Sequence, residues 1–172
     1  TPSQFAAQIQ CVAERYHVCS MQDVVAAAQN QSSLPADSVV LTFDDATTDF
    51  ATYAWPVLKA FDLPATVFVP TAYPDNHSLH FWWDRLYRAV MWAPQDTVIP
   101  TPERGRITLS SAKIRQQVFR QLKEYLKNIP HSDFQQVMAD ITSAANVADP
   151  EQNNVLSWNE LRALQQDGVA LA

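Results

Sequence analysis

An α/β architecture follows from three features of this sequence. Residues 38–43 (Ser-Val-Val-Leu-Thr-Phe) and 65–69 (Ala-Thr-Val-Phe-Val) are short runs rich in apolar residues on both faces, as strands buried in a parallel sheet are. Between them a helix is expected from about residue 50 to 61, with Pro56 starting or kinking it. Strand, helix and strand at this spacing make a right-handed crossover unit.

Residues 1–37 read as N-terminal helices. Thr1 and Gln4 form a capping-box pattern around Pro2, and Phe5, Ile9, Val12 and Tyr16 follow as a stripe at helical spacing. Ser20 with Asp23 signals a second helix start, and residues 30–37, including Pro35, read as a polar turn. Residues 38–72 hold the first strand–helix–strand unit. Residues 73–154 read as a helical insertion after the second strand. Within it, 81–92 is aromatic-rich and helical, and 94–109 is expected to be irregular because of Pro100, Pro102 and Gly105. Ile114, Val118, Leu122 and Leu126 mark one amphipathic helix, and Phe134, Val137, Met138 and Ile141 another. Residues 155–172 give a last helix and the start of the next strand. Ser157 and Glu160 form a capping box, Leu156 and Leu161 a hydrophobic staple, and Gly168 a helix stop.

Composition bounds the function. With 172 residues, 47% of them hydrophobic, a single core and one domain are the natural expectation. A net charge of −6 and the lack of a Lys/Arg run argue against a nucleic-acid surface. No apolar run reaches membrane-span length. Gly105 and Gly168 are the only glycines, which excludes glycine-rich phosphate loops and dinucleotide-binding motifs. Cys11 and Cys19 are too few for a disulfide scaffold. Cys11 is expected to be a buried thiol on an apolar helical face, with a Cys11–Cys19 bridge left open.

Asp44 and Asp45 close the first strand. Neighbouring carboxylates repel, and a divalent metal resolves the conflict if one ligates it while the other stays free as a base for water. The plainer alternative is a solvated loop start in which Asp45 caps a turn.

The segment Thr42-Phe43-Asp44-Asp45-Ala46, followed by Pro64-Ala65-Thr66-Val67-Phe68-Val69, resembles the polysaccharide deacetylase family, the chitooligosaccharide deacetylase-like domains of carbohydrate esterase family four. That family reads T-F-D-D-G at the end of the first strand and P-A-T-F-F-V at the second. The resemblance implies a partial, distorted (β/α) barrel. It implies Asp44 as catalytic base and Asp45 as a ligand of a divalent metal, zinc foremost. The substrate implied is an acetylated polysaccharide or oligosaccharide, and family habit suggests a bacterial cell-envelope or secreted location. The family's H-S/T-x-x-H motif, which completes the metal site, is expected beyond Ala172, so the 172 residues read as a fragment inactive alone. Strand edges left open by truncation offer a route to self-association. Ala46 stands where the family has glycine, so the loop is either right-handed there or mildly strained.

Other residues carry weaker signals. His77 and His80 are one residue short of the histidine motif's spacing and follow the wrong strand, so an exposed turn is the preferred reading. His17 and His131 read as surface or capping residues. Trp82, Trp83 and Trp92 invite sugar stacking, but aromatic residues of a helical insertion more often form its own core. Asp49 could orient the loop after Asp45, but a plain N-cap is the preferred reading. The rival functions are a non-catalytic carbohydrate-binding or structural relative of the same fold, which Ala46 slightly favours, and a magnesium-dependent phosphoryl-transfer domain.

Overall fold

The computed structural model describes residues 1–102 and 105–172. The chain forms two compact units, Thr1–His77 with Asn153–Ala172, and Ser78–Gln152.

In the first unit, helix α1 (Pro2–Arg15) opens with the Thr1/Gln4 capping box and buries Ile9. Cys11 lies two positions from Ile9, on the opposite side of the helix, and is exposed rather than buried. Cys19 is the buried cysteine, and both thiols are free. Cys19 ends a strand that the sequence did not signal, β1 (His17–Cys19), whose three residues are too few to show a period. Helix α2 (Met21–Gln29) starts as expected, Asp23 and Ser20 exchanging hydrogen bonds of 2.9 and 3.1 Å. The Ser20 hydroxyl and backbone N–H hold the Asp23 carboxyl below the usual range.

The run 38–43 is not one strand. β2 (Ser38–Val40) pairs in parallel with β1, His17 opposite Ser38 and Cys19 opposite Val40. The chain breaks at Leu41, and β3 (Thr42–Phe43) joins a different sheet. These residues are half-buried or, at Thr42, exposed, so the expectation of burial on both faces is corrected. The returning helix is divided too. Residues Phe50–Ala54 are π-helical and α3 (Trp55–Ala60) carries Pro56 in its first turn. Proline cannot donate to the carbonyl four residues back, which fits the wider winding just before it.

Strand β4 (Thr66–Val67) is central in a three-stranded parallel sheet, in the order β3, β4, then the last strand β7 (Ala170–Leu171). Its register sets Thr42 opposite Thr66 and Phe43 opposite Val67. On the other side, Thr66 faces Ala170 and Val67 faces Leu171. Helix α7 (Trp158–Gln166) precedes β7 and carries the expected Ser157/Glu160 box, with Leu156 and Leu161 both buried. Gly168 follows it at φ 109°, a conformation suited to glycine. Trp55 donates its indole N–H to Asp167 at 2.6 Å, and Lys59 pairs with the same carboxylate.

The second unit packs α4 (Trp82–Met91), α5 (Ala112–Lys127) and α6 (His131–Ala145) around Leu86, Val90, Ile99, Leu122 and Ile141. The stretch expected to be irregular holds an antiparallel hairpin, β5 (Val98–Thr101) with β6 (Gly105–Thr108), Ile99 opposite Ile107. A two-stranded ribbon is all edge, so Pro100 is tolerated there. Residues 103 and 104 of that stretch lie outside the described residues. Trp82 packs edge-on against Phe134 and Trp83 stacks on Phe81, so both serve this unit's own packing. Trp92 stays exposed.

The fold is thus α/β, with small sheets of two, three and two strands, none of them closed among the described residues.

Candidate functional site

The site begins where β3 stops. Asp44 is exposed, Asp45 is half-buried and Ala46 is fully buried. Asp45 and Ala46 both take left-handed backbone conformations, φ 68° and 47°. Ala46 therefore adopts the conformation glycine reaches freely, and the alternative of a right-handed loop is excluded.

A non-glycine residue holds such a conformation only when its surroundings fix it. Here a second segment does so. Leu156 donates its N–H to the Ala46 carbonyl at 2.9 Å, and Thr48 donates to the Asn154 carbonyl at 2.8 Å. Thr47 and Val155 form an antiparallel bridge between them. The loop also braces itself. The Thr47 hydroxyl donates to Asp49, and the Phe50 N–H to the Thr47 carbonyl at 3.0 Å. Asp49 makes no side-chain cap to the helix that follows, so the expected N-cap role is corrected: its carboxylate accepts from Thr47 within the loop instead.

Left-handed alanine costs about 1 kcal/mol, and its buried methyl contributes about 0.8 kcal/mol. Ala46→Gly is accordingly expected to leave thermal stability within about 0.5 kcal/mol of the parent, whereas Ala46→Val should lose about 2 kcal/mol. A valine variant melting with the parent would contradict the left-handed loop.

Asp44 lines a cleft of about 380 Å³ whose apolar wall is Phe5, Phe43, Phe50 and Tyr53, with Thr47 and Asp49 adding polar groups. Among the described residues no side chain takes up the Asp44 carboxylate, which leaves it open to water or a ligand. Asp45 lies within reach of Tyr73. Burial and the negative charge of Asp45 push the Tyr73 phenol above its usual range, so it stays a neutral hydroxyl.

Among the described residues, no three His, Cys, Asp or Glu side chains gather into a set that holds a metal ion. Asp44 and Asp45 stand side by side at the end of β3, with no further His, Cys, Asp or Glu among the described residues completing a set of three around them. His77 is exposed in its turn. His80 lies near Asp149, a residue of the second unit. Burial raises the Asp149 carboxyl, but the hydrogen bond from Arg88 and the charges of Arg85, Arg88 and His80 outweigh it and hold the group below the usual range. His17 and His131 are exposed, as expected. Tyr73 and Asn153 were not legible as parts of this region, because their contacts span distant stretches of chain and leave no local spacing to read.

A model of the polysaccharide deacetylase family matches residues 31–172. No curated protein sequence matches the chain significantly. Among solved structures, a de-N-acetylase from Aggregatibacter actinomycetemcomitans is 18% identical, covering 92% of this chain and 38% of its own, with a TM-score of 0.40. The deacetylase domain of BpsB from Bordetella bronchiseptica is 21% identical over 96% of this chain and 41% of its own, with a TM-score of 0.44. The Streptococcus pyogenes deacetylase PplD, solved in complex with acetate, is 29% identical over 68% of this chain and 41% of its own, at 0.35. The chain thus spans between 38% and 41% of these structures' lengths. The family match carries the assignment, and these superpositions do not. By that match over residues 31–172, the chain belongs to the polysaccharide deacetylase family.

Proposed function

We propose that this chain carries the catalytic base and one metal ligand of a metal-dependent hydrolase that removes N-acetyl groups from amino-sugar polymers. The observation that supports the reading most is the family match over residues 31–172, with Asp44 and Asp45 at the C-terminal end of a parallel strand inside it. In α/β folds with parallel strands, active groups gather at that end. The strands β3, β4 and β7 are read as adjacent strands of a distorted (β/α) barrel.

Asp44 takes a proton from water as the water attacks the acetamide carbonyl. The tetrahedral carbon then expels the nitrogen, which takes up the proton that Asp44 accepted, giving acetate and a free amine. Asp45 contributes one ligand to a divalent metal, zinc foremost. When bound, that metal polarises the acetamide carbonyl and makes water more acidic.

The 172 residues alone are read as inactive, since a catalytic zinc normally has three protein ligands. In the protein as encoded in full, Asp45→Ala is expected to lower zinc affinity by more than the about 10- to 100-fold that outer-shell changes cost. Metal content after dialysis measures this, and an alanine variant that keeps its zinc removes Asp45 from the ligand set. The rival reading, a non-catalytic carbohydrate-binding relative, drew on Ala46. With Ala46 left-handed, that residue no longer favours it.

A further inference from the structure

Where the 73–76 turn meets residues 153–156, one side chain uses both ends. The Asn153 amide N–H groups donate to the backbone carbonyls of Asn76 at 2.9 Å and Tyr73 at 3.3 Å. Its Oδ1 accepts the Val155 N–H at 2.9 Å, an Asx turn that sets the direction of the chain beyond it. Asp75 of the same turn accepts the N–H of Trp158, in the first turn of α7, at 3.4 Å.

The chain directed by Asn153 is the chain that holds the aspartate loop. Residues 154, 155 and 156 bond or bridge to Thr48, Thr47 and Ala46 in turn. Val155 and Leu156 are buried there, so the segment cannot slide without exposing apolar surface. Two successive non-glycine residues at positive φ need such external fixing.

We infer that Asn153 is a positioning residue of the deacetylase site: by clasping the 73–76 turn to the 153–156 segment, it fixes the register in which that segment pairs with residues 46–48 and so holds Asp44 and Asp45 in place. The role at the active site rests on the function proposed above. The clasp itself does not. It also gives a physical reason for the site loop to stay fixed although the long segment 78–152 interrupts the chain between the two clasped stretches.

Asn153→Asp tests it in the full-length protein. The change is isosteric, keeps the acceptor for Val155 and removes both donors. Expected are about tenfold faster hydrogen exchange at the Thr48 and Leu156 amides, and a kcat for acetate release lowered about tenfold with KM unchanged, since small misplacements of catalytic groups act on the chemical step. Should the aspartate variant fail to fold, Asn153→Ser, which keeps a turn acceptor without the charge, takes the same readouts. Unchanged exchange at Thr48 and Leu156 overturns the clasp. Faster exchange with unchanged kcat overturns the positioning role and leaves a merely structural one. If the parent protein releases no acetate, the function above fails, and the exchange result alone still decides the clasp.

Discussion

Asp44→Asn is expected to lower acetate release by about 10²- to 10⁴-fold, the range associated with losing a general base. The amide keeps the shape of the carboxylate but cannot take the proton of the attacking water. Asp44 is exposed and no side chain among the described residues takes up its carboxylate, so the change leaves no buried group unpaired. Melting temperature and zinc content should therefore match the parent. This separates loss of a base from loss of a fold. Turnover retained in a folded, zinc-loaded Asp44→Asn variant would remove Asp44 from the chemistry.

The second large effect concerns stability. Leu161→Ala should lose about 2–5 kcal/mol, because it deletes a fully buried side chain whose space the neighbours cannot wholly refill. Leu161 lies in the first half of α7, the helix between the 153–156 segment and β7. Leu156, Leu164 and Val169 are buried along the same stretch of chain. For a chain of this length each kcal/mol moves the midpoint by about 2–4 °C, so thermal melting should shift by about 10 °C. A shift under about one degree would mean that α7 is not packed through this residue.

Local chemistry made much of this fold legible. The caps at Thr1, Ser20 and Ser157 each involve residues three positions apart, and all three form as the sequence implies. The amphipathic helices around Leu122 and Ile141 were legible for the same reason, since their stripes repeat over several turns. Strands were harder. The apolar run 38–43 gave no sign of its break at Leu41, because the split depends on which neighbour each half pairs with. Pro100 and Pro102 suggested an irregular loop, although an edge ribbon tolerates proline. Cys11 departs from expectation because a helical stripe must be followed residue by residue, and two positions from Ile9 is the far side.

The site was legible only in part. Adjacent aspartates at a strand end announce themselves by their mutual repulsion. The left-handed backbone at Asp45 and Ala46 does not, since alanine argues against positive φ when only the sequence is read. Asn153 and Tyr73 meet across 80 residues, so no spacing rule reaches them.

The central claim is deacetylation, and acetate release from N-acetylated chitooligosaccharides by the zinc-loaded full-length protein tests it most directly. The account predicts acetate and free amine formed in equal amounts. A folded, zinc-loaded protein that releases no acetate from these or from other acetylated amino-sugar polymers would contradict it.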